Sequence, residues 1–380
     1  MPPVRVLTII ESLGRGGAEN LVLSVHRRLD RERVEPRVAS LFGPDPLATE
    51  LEASDVPVER MRLSRPAGAL RGVLGLRRII RRHRIDVVHT HLYYANVTGR
   101  LAAAGLAGVV TTLHNPDYGR EDPGTTVFRV KKAVDRWTGK GLTDTILAVS
   151  EAVRRDYETH LGFRDIRILH NGIDLERFAE ALEQVDRAAE RRALGLVAEE
   201  ALLLHVGRLH PQKGLDVLID ALARPPASEL RWTLALVGVG PAEASLRKRA
   251  ASRGLGDRVR FLGTVARPER FYAAADLFVF PSRYEAFGIA LLEAMAAGLP
   301  PVASRVDGIP ELTGDAGALL VPPEDPDALS RAIAGLLDDP DRRRTLGSAA
   351  RKRSALFDVC RVARELEDVY AEVAGRRGAA

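Results

Sequence analysis

Short apolar runs alternate with helical stretches along this chain, and the alternation starts twice. VRVLTII (Val4–Ile10) has the composition of a strand buried on both faces. A glycine loop and a helix from about Ala18 to Leu29 follow it. VEPRVASLF, VPVERMRL, DVVHTHL, VVTTLHN and TDTILAVS read as further strands separated by helical stretches. Strands interleaved with helices need crossover connections, so they lie parallel in a doubly wound α/β sheet. The pattern restarts at ALLLHVGRLHPQKG (Ala201–Gly214) and runs on through LALVGVGP, RVRFLGTV and DLFVF. A chain of 380 residues is too long for one ordinary core. Two α/β domains are therefore expected, residues 1–174 and 175–356, with the charged segment Leu175–Ala201 as their connection.

In such sheets ligands bind beyond the carboxyl ends of the strands, so the loops there deserve the closest reading. Pro281–Gly298 reads PSRYEAFGIALLEAMAAG after the apolar run Asp276–Phe280. Pro281 and Ser282 end the strand, helical periodicity begins at Phe287, and Gly298 is placed as a stop. Gly288, flanked by Phe287 and Ile289, sits at the helix start, where free N–H groups and the dipole favour an anion. Glu285 and Glu293 bracket this turn with seven residues between them. Glu293 lies roughly 7.5 Å along the axis from Gly288, so a phosphate at the helix start and a ribose over Glu293 would fit one nucleotide. Glu285 would then face a sugar on the other side of the diphosphate, accepting its hydroxyls in charge-assisted hydrogen bonds. The alternative is a helix-capping Glu285 and a solvated Glu293.

Arg208 and Lys213 flank a loop at another strand–helix junction, and two cations beside a helix start suit a diphosphate. The loop Gly14–Glu19 (GRGGAE) carries Glu19 where a dinucleotide fingerprint needs its third glycine, which disfavours a nicotinamide enzyme. Its adjacent Gly16 and Gly17 still allow close backbone approach to a ligand. His89 and His91 end one strand and His114, followed by Asn115, ends the next. Each has either a ligand role or a packing role at that position.

Composition narrows the function classes. Aromatic residues make up 5%, and basic residues are spread along the chain, which argues against a nucleic-acid partner. Only six of the 56 basic residues are Lys. The single Cys360 rules out an intrachain disulfide and a multi-Cys metal site. Asp325-Pro326-Asp327 reads as a helix cap rather than a metal-binding pair. The first apolar run is too short for a signal peptide, so a cytoplasmic location is expected. The stretch Pro66–Arg84 carries Arg71, Arg77, Arg78, Arg81 and Arg82 against Leu70, Val73, Leu74 and Leu76. It is either the solvated outer face of a sheet-packing helix or a peripheral contact with an anionic membrane.

Pro281–Ser304 resembles the E-x7-E signature of the retaining GT-B glycosyltransferases of family 4. Gly207–Gly214 resembles their GRxxxxKG element, and Gly16–Glu19 their GGxE loop. Ala286 stands where the family usually has Gly, Pro301 where it often has Val, and Val306-Asp307-Gly308 where it has VGG. The resemblance implies two Rossmann-like domains facing a central cleft, with a final helix (357–375) packing back on the first. It implies Gly16, Gly17, Arg208, Lys213, Phe287, Gly288 and Ile289 at the donor diphosphate, and Val265 and Glu293 at the nucleoside. His114 and Glu285 would act at the reacting sugar, with His91 and Asn115 on the acceptor side. The loop Pro116–Thr126 is expected at the acceptor entrance. A nucleotide sugar is the expected co-substrate, a sugar, lipid-linked or small-molecule acceptor its partner, and no metal or other cofactor is expected. A GT-B nucleotide-sugar epimerase and a non-catalytic nucleotide-sugar-binding subunit are the alternatives.

Overall fold

The computed structural model describes residues 2–64, 68–119, 125–197 and 199–378. The chain divides into two units, Met1–Gly172 with Val359–Ala380, and Ile173–Asp358.

Unit 1 carries strands β1 (Val4–Ile10), β2 (Val34–Ser40), β3 (Val58–Arg60), β4 (Val87–His91), β5 (Gly108–Leu113), β6 (Thr145–Ala148) and β7 (Arg167–Ile168). Its helices are α1 (Gly17–Arg28), α2 (Ala48–Glu52), α3 (Ala69–Arg82), α4 (Tyr93–Ala103), α5 (Thr126–Leu142) and α6 (Glu151–Leu161). The strands form one parallel sheet in the order β3-β2-β1-β4-β5-β6-β7. Every residue of β4, β5 and β6 is buried, as expected for apolar strands covered on both faces. The expected strand 56–63 shrinks to three residues because β3 is the sheet edge and pairs only with β2. That pairing begins at Val38, beyond Pro36, so the missing N–H of Pro36 costs no bond to β3.

The chain leaves β1 for β2 on one side and reaches β4 on the other, so the topological switch lies between β1 and β4. The register sets Ile10 opposite His91 and His91 opposite Thr112, which brings the α1 loop and the two strand-end histidines to one edge.

Unit 2 repeats the arrangement. Helices α7 (Leu175–Glu183) and α8 (Arg187–Ala193) precede β8 (Ala201–Val206), α9 (Leu215–Leu222), β9 (Trp232–Val237) and α10 (Glu243–Ser252). Then come β10 (Val259–Gly263), α11 (Glu269–Ala274), β11 (Leu277–Phe280), α12 (Ile289–Ala296), β12 (Pro301–Ser304) and α13 (Ile309–Thr313). The unit closes with β13 (Leu319–Val321), α14 (Pro326–Leu337) and α15 (Pro340–Ser354). The six-stranded parallel sheet runs β10-β9-β8-β11-β12-β13, with its switch between β8 and β11.

The reading of Leu175–Ala201 as a connection is corrected: α7 and α8 pack on α11 within unit 2. Arg187 and Arg191 both reach the Asp276 carboxylate, at 2.5 and 2.8 Å, which fastens α8 to the start of β11.

The last helix, α16 (Val359–Gly378), belongs to unit 1. It packs on α1, β1, β4 and β5 through Val359, Ala363, Leu366 and Val373. Its Tyr370 hydroxyl meets His89 Nδ1 at 2.7 Å, and buried Glu367 accepts from Arg33 at 2.8 Å.

A buried ion pair fixes α5. Arg100 on α4, fully buried, donates to Asp135 at 2.5 Å, and the Tyr118 hydroxyl donates to the other Asp135 oxygen at 2.6 Å. Removing one partner strands the other charge out of water. Asp135→Ala is expected to destabilise unit 1 by about 3–5 kcal/mol. Hydrogen exchange should rise first in α4 and α5, and unchanged protection there would contradict the role.

Candidate active site

In unit 2 the expected site residues converge on the carboxyl edge beside the β8/β11 switch. After β8 the chain makes a short 3₁₀ turn, Pro211–Lys213, capped by the His210 ring, which accepts from Gln212 N–H at 3.3 Å. Gly214 follows with φ +60, and a Cβ there would sit 2.1 Å from the Pro281 carbonyl oxygen. Only glycine lets the β8 and β11 loops touch this closely. Gln212 then laces them: its side chain donates to Tyr284 O at 3.0 Å and its carbonyl accepts from Arg283 N–H at 2.8 Å.

That contact delivers Lys213 to Glu285. The two form a direct, largely buried ion pair, and Ser282 Oγ donates to the same Glu285 oxygen at 3.0 Å. The Lys213 ammonium also lies 5.2 Å from the Phe280 ring centre, a cation–π contact. Behind the pair, Asp307 accepts from Glu285 N–H at 2.9 Å and Gly308 N–H donates to Glu285 O at 3.2 Å. The Val306-Asp307-Gly308 departure thus clamps the loop that presents Glu285. Glu285 is not a helix cap.

Helix α12 begins at Ile289, two residues later than the periodicity from Phe287 predicts, because Gly288 is its N-cap with φ +97. Phe287 is buried and packs edge-on against Phe357 at 5.4 Å, so its side chain belongs to the core. The N–H groups of the first turn, from Ile289, have no intrahelical acceptor and point to the same edge. Gly298 follows the C-cap with φ +75, as expected of a stop. Glu293 is not a solvated helix residue. It is partly buried and accepts from the Tyr272 hydroxyl at 2.7 Å. Burial pushes its carboxyl up to about 7, against the opposing pull of that hydrogen bond.

Arg208 is exposed on the β8 loop, and Val265 is half-buried two residues beyond the end of β10. Asp325 caps α14, accepting from Ala328 N–H at 2.8 Å, and Asp327 pairs with Arg224 at 2.7 Å. Sequence reasoning missed Tyr272 and His205. His205 is fully buried on β8, and its Nδ1–H must donate to the Val279 carbonyl at 3.0 Å, leaving Nε2 as a bare acceptor without a partner. Burial holds its ring neutral, down to about 4, with the Lys213 charge adding to the shift. A polar residue inside the apolar run ALLLHV was the available signal.

In unit 1 Gly16 is the N-cap of α1, and Glu19 folds back over it: a Cβ on Gly16 would sit 2.3 Å from Glu19 Oε2. Gly17 opens the helix and is exposed. His114 follows β5, and its Nε2 meets His91 Nδ1 at 2.8 Å. Burial lowers His114 to about 4 and His91 well below its usual value, so one proton is shared between two neutral rings. The His91 ring also lies tilted against that of His89, centre to centre 4.2 Å, and His89 bonds Thr112 at 2.7 Å. Asn115 is exposed beside the pair. Residues 120–124 of the expected entrance loop lie outside the described residues.

Lys213 and Glu285 should be energetically coupled. Lys213→Met and Glu285→Leu are each expected to destabilise by about 3 kcal/mol or more, and the double variant by clearly less than their sum. A double-mutant cycle in urea checks this, and strictly additive losses would refute the pairing.

Comparison with known proteins identifies the family. The family model for glycosyl transferases group 1 matches residues 186–353, and that for Glycosyltransferase Family 4 matches residues 15–177. The D-inositol 3-phosphate glycosyltransferase of Thermobispora bispora is 31% identical over 86% of this chain and 78% of its own. The GDP-mannose-dependent monoacylated alpha-(1-6)-phosphatidylinositol monomannoside mannosyltransferase of Corynebacterium glutamicum is 31% identical over 68% of each chain. Anabaena Alr3699/HepE, solved in complex with UDP, superposes with a TM-score of 0.82 at 25% identity, over 97% of this chain and 100% of that one. Two parallel α/β sheets with these loops at their carboxyl edges, matched along nearly the whole length, place the chain in the group 1, family 4 glycosyltransferases of GT-B fold.

Proposed function

We propose that this glycosyltransferase takes a sugar from a nucleoside-diphosphate donor to an acceptor hydroxyl with retention of configuration. The observation that carries the reading is the buried Lys213–Glu285 pair beside the start of α12, with Glu293 on the same helix. Glu285 suits the sugar, Lys213 and the free N–H groups the central diphosphate, and Glu293 the ribose of such a donor. Anabaena Alr3699/HepE was also solved with UDP-glucose, which supports a nucleotide-sugar donor, and the Corynebacterium relative is named for GDP-mannose.

The roles follow from chemistry. Lys213, Arg208 and the α12 N-terminus meet the charge that builds on the departing diphosphate, so the protein itself supplies that stabilisation. Glu285 exchanges Lys213 for sugar hydroxyls and orients the ring. Glu293 takes the ribose, and the backbone at Val265 faces the base. In unit 1, the Gly16-Gly17 loop allows close backbone approach to a ligand, and His91 and Asn115 serve the acceptor. His114 is neutral at physiological pH and acts as a hydrogen-bonding imidazole, not as an acid. The acceptor hydroxyl attacks from the face the diphosphate leaves.

Arg208 is exposed, so Arg208→Ala tests the role without disturbing the core. It should lose about 1.5–3 kcal/mol of transition-state stabilisation, roughly 10- to 150-fold in kcat/KM. Turnover equal to the parent enzyme on UDP- and GDP-sugars would overturn the assignment. Glu293 supplies a second test. Its carboxyl is raised to about 7, and ribose hydroxyls are best accepted by the ionised form. Nucleotide affinity should therefore fall about tenfold per pH unit below 7 and level off above it. Glu293→Gln should bind weakly with a flat profile, and a pH dependence retained in that variant would assign it elsewhere.

A further inference from the structure

His205 is the one polar residue in the β8 run ALLLHV, and none of it is exposed. Its Nδ1–H donates to the Val279 carbonyl at 3.0 Å, so the neutral ring keeps a lone pair at Nε2. Among the described residues nothing donates to that atom. A buried acceptor stripped of water and given no donor costs stability. A phenylalanine would fill the same space without that cost, because the ring already stacks on Phe278 and Phe280, centre to centre 6.4 and 5.8 Å. The roles given above to Lys213, Glu285 and Glu293 leave this nitrogen unused.

A donor is at hand in Lys213. Its ammonium lies 5.2 Å from the centre of the same Phe280 ring on which His205 stacks. Gly207 marks the space between the two side chains. A Cβ there would meet His205 Nε2 at 3.2 Å and Lys213 Cε at 3.7 Å. Both groups therefore border one small gap, and the missing side chain at Gly207 keeps it open. Glu285 holds the ammonium elsewhere, in the ion pair. An ammonium carries three hydrogens on a flexible stem, so rotation about its last bonds sweeps it from Glu285 toward that gap.

We propose that His205 is a positioning residue for Lys213, accepting an ammonium hydrogen at Nε2 when Glu285 turns to the sugar hydroxyls. The inference rests on the donor reading above, in which Glu285 gives up Lys213 as the nucleotide sugar arrives. A lysine released there has the phosphates before it and nothing behind it. The imidazole takes one hydrogen and leaves two for the diphosphate. Being neutral, it steadies the cation without cancelling the charge that the leaving group needs, as a second carboxylate would. Burial keeps the ring in that neutral form, so it offers a lone pair and not a second positive charge. Lys213 then has two stations, Glu285 at rest and His205 at work.

Nitrogen NMR of the full chain, labelled at histidine, reads the contact directly, with the His205 signals assigned by their loss in His205→Phe. Glu285→Gln frees Lys213 with no ligand present, and the His205 Nε2 resonance should move in the direction of an accepted hydrogen bond. Adding Lys213→Met should return it to the parent position. A resonance that Glu285→Gln leaves in place overturns the proposal, and one that moves equally without Lys213 overturns it in favour of a buried water. Kinetics give a second reading. His205→Phe should lower kcat for sugar transfer about tenfold with the donor KM little changed, the effect of one hydrogen bond to a charged group. His205→Gln, which keeps an acceptor at that reach, should restore most of it. In a Lys213→Met background His205→Phe should lower kcat no further. An equal loss in both backgrounds would mark a packing role and overturn the proposal. If no nucleotide sugar is turned over, the transferase reading falls, while the resonance of ligand-free Glu285→Gln still decides the contact between Lys213 and His205.

Discussion

Parallel strands cannot be joined by a tight turn, and that constraint governs both halves of this molecule. Each strand must be followed by a crossover, so each carboxyl end opens into a loop on the same edge. Where the direction of winding reverses, two neighbouring loops part and leave room for a ligand. In unit 1 that place lies between β1 and β4, and in unit 2 between β8 and β11. The residues with chemistry to offer follow those strands, or their near neighbours, in both units.

The electrostatics of unit 2 show how such an edge carries charge before a ligand arrives. Lys213 and Glu285 are largely out of water, and each makes the other tolerable there. Gly214 brings their loops together, and Asp307 holds Glu285 from behind. Glu293 is handled differently: it has a neutral hydroxyl for company and a raised pKa rather than a cation. The two acids of one short motif thus keep different company, one set against a cation and one beside a hydroxyl.

What could be read in the sequence was what depends on neighbours in the chain. Val4–Ile10 and Leu277–Phe280 are apolar enough to be strands in any setting, and the acids at 285 and 293 announce themselves by spacing. The Asp325 cap is a local matter of Asp, Pro and an N–H three residues on. What escaped depends on distant partners. Arg187 and Arg191 look like a charged linker until Asp276 is seen to receive both. Tyr272 matters only because α11 sets it beside Glu293. Helix α12 began late because backbone handedness at Gly288, which periodicity does not register, overrides the apolar pattern.

The final helix carries a consequence for how the polypeptide is made. Unit 2 is an insertion in unit 1, and Ile173 and Asp358 at its ends pair with each other. During synthesis unit 2 is therefore complete while unit 1, begun first, still waits for the 20 residues of α16. Amino-terminal domains ordinarily mature first on the ribosome, and here the order is inverted. Until α16 emerges, Val6, Val25, Val87 and Val110 lack the wall that covers them, so the nascent chain keeps that apolar surface open throughout the synthesis of unit 2.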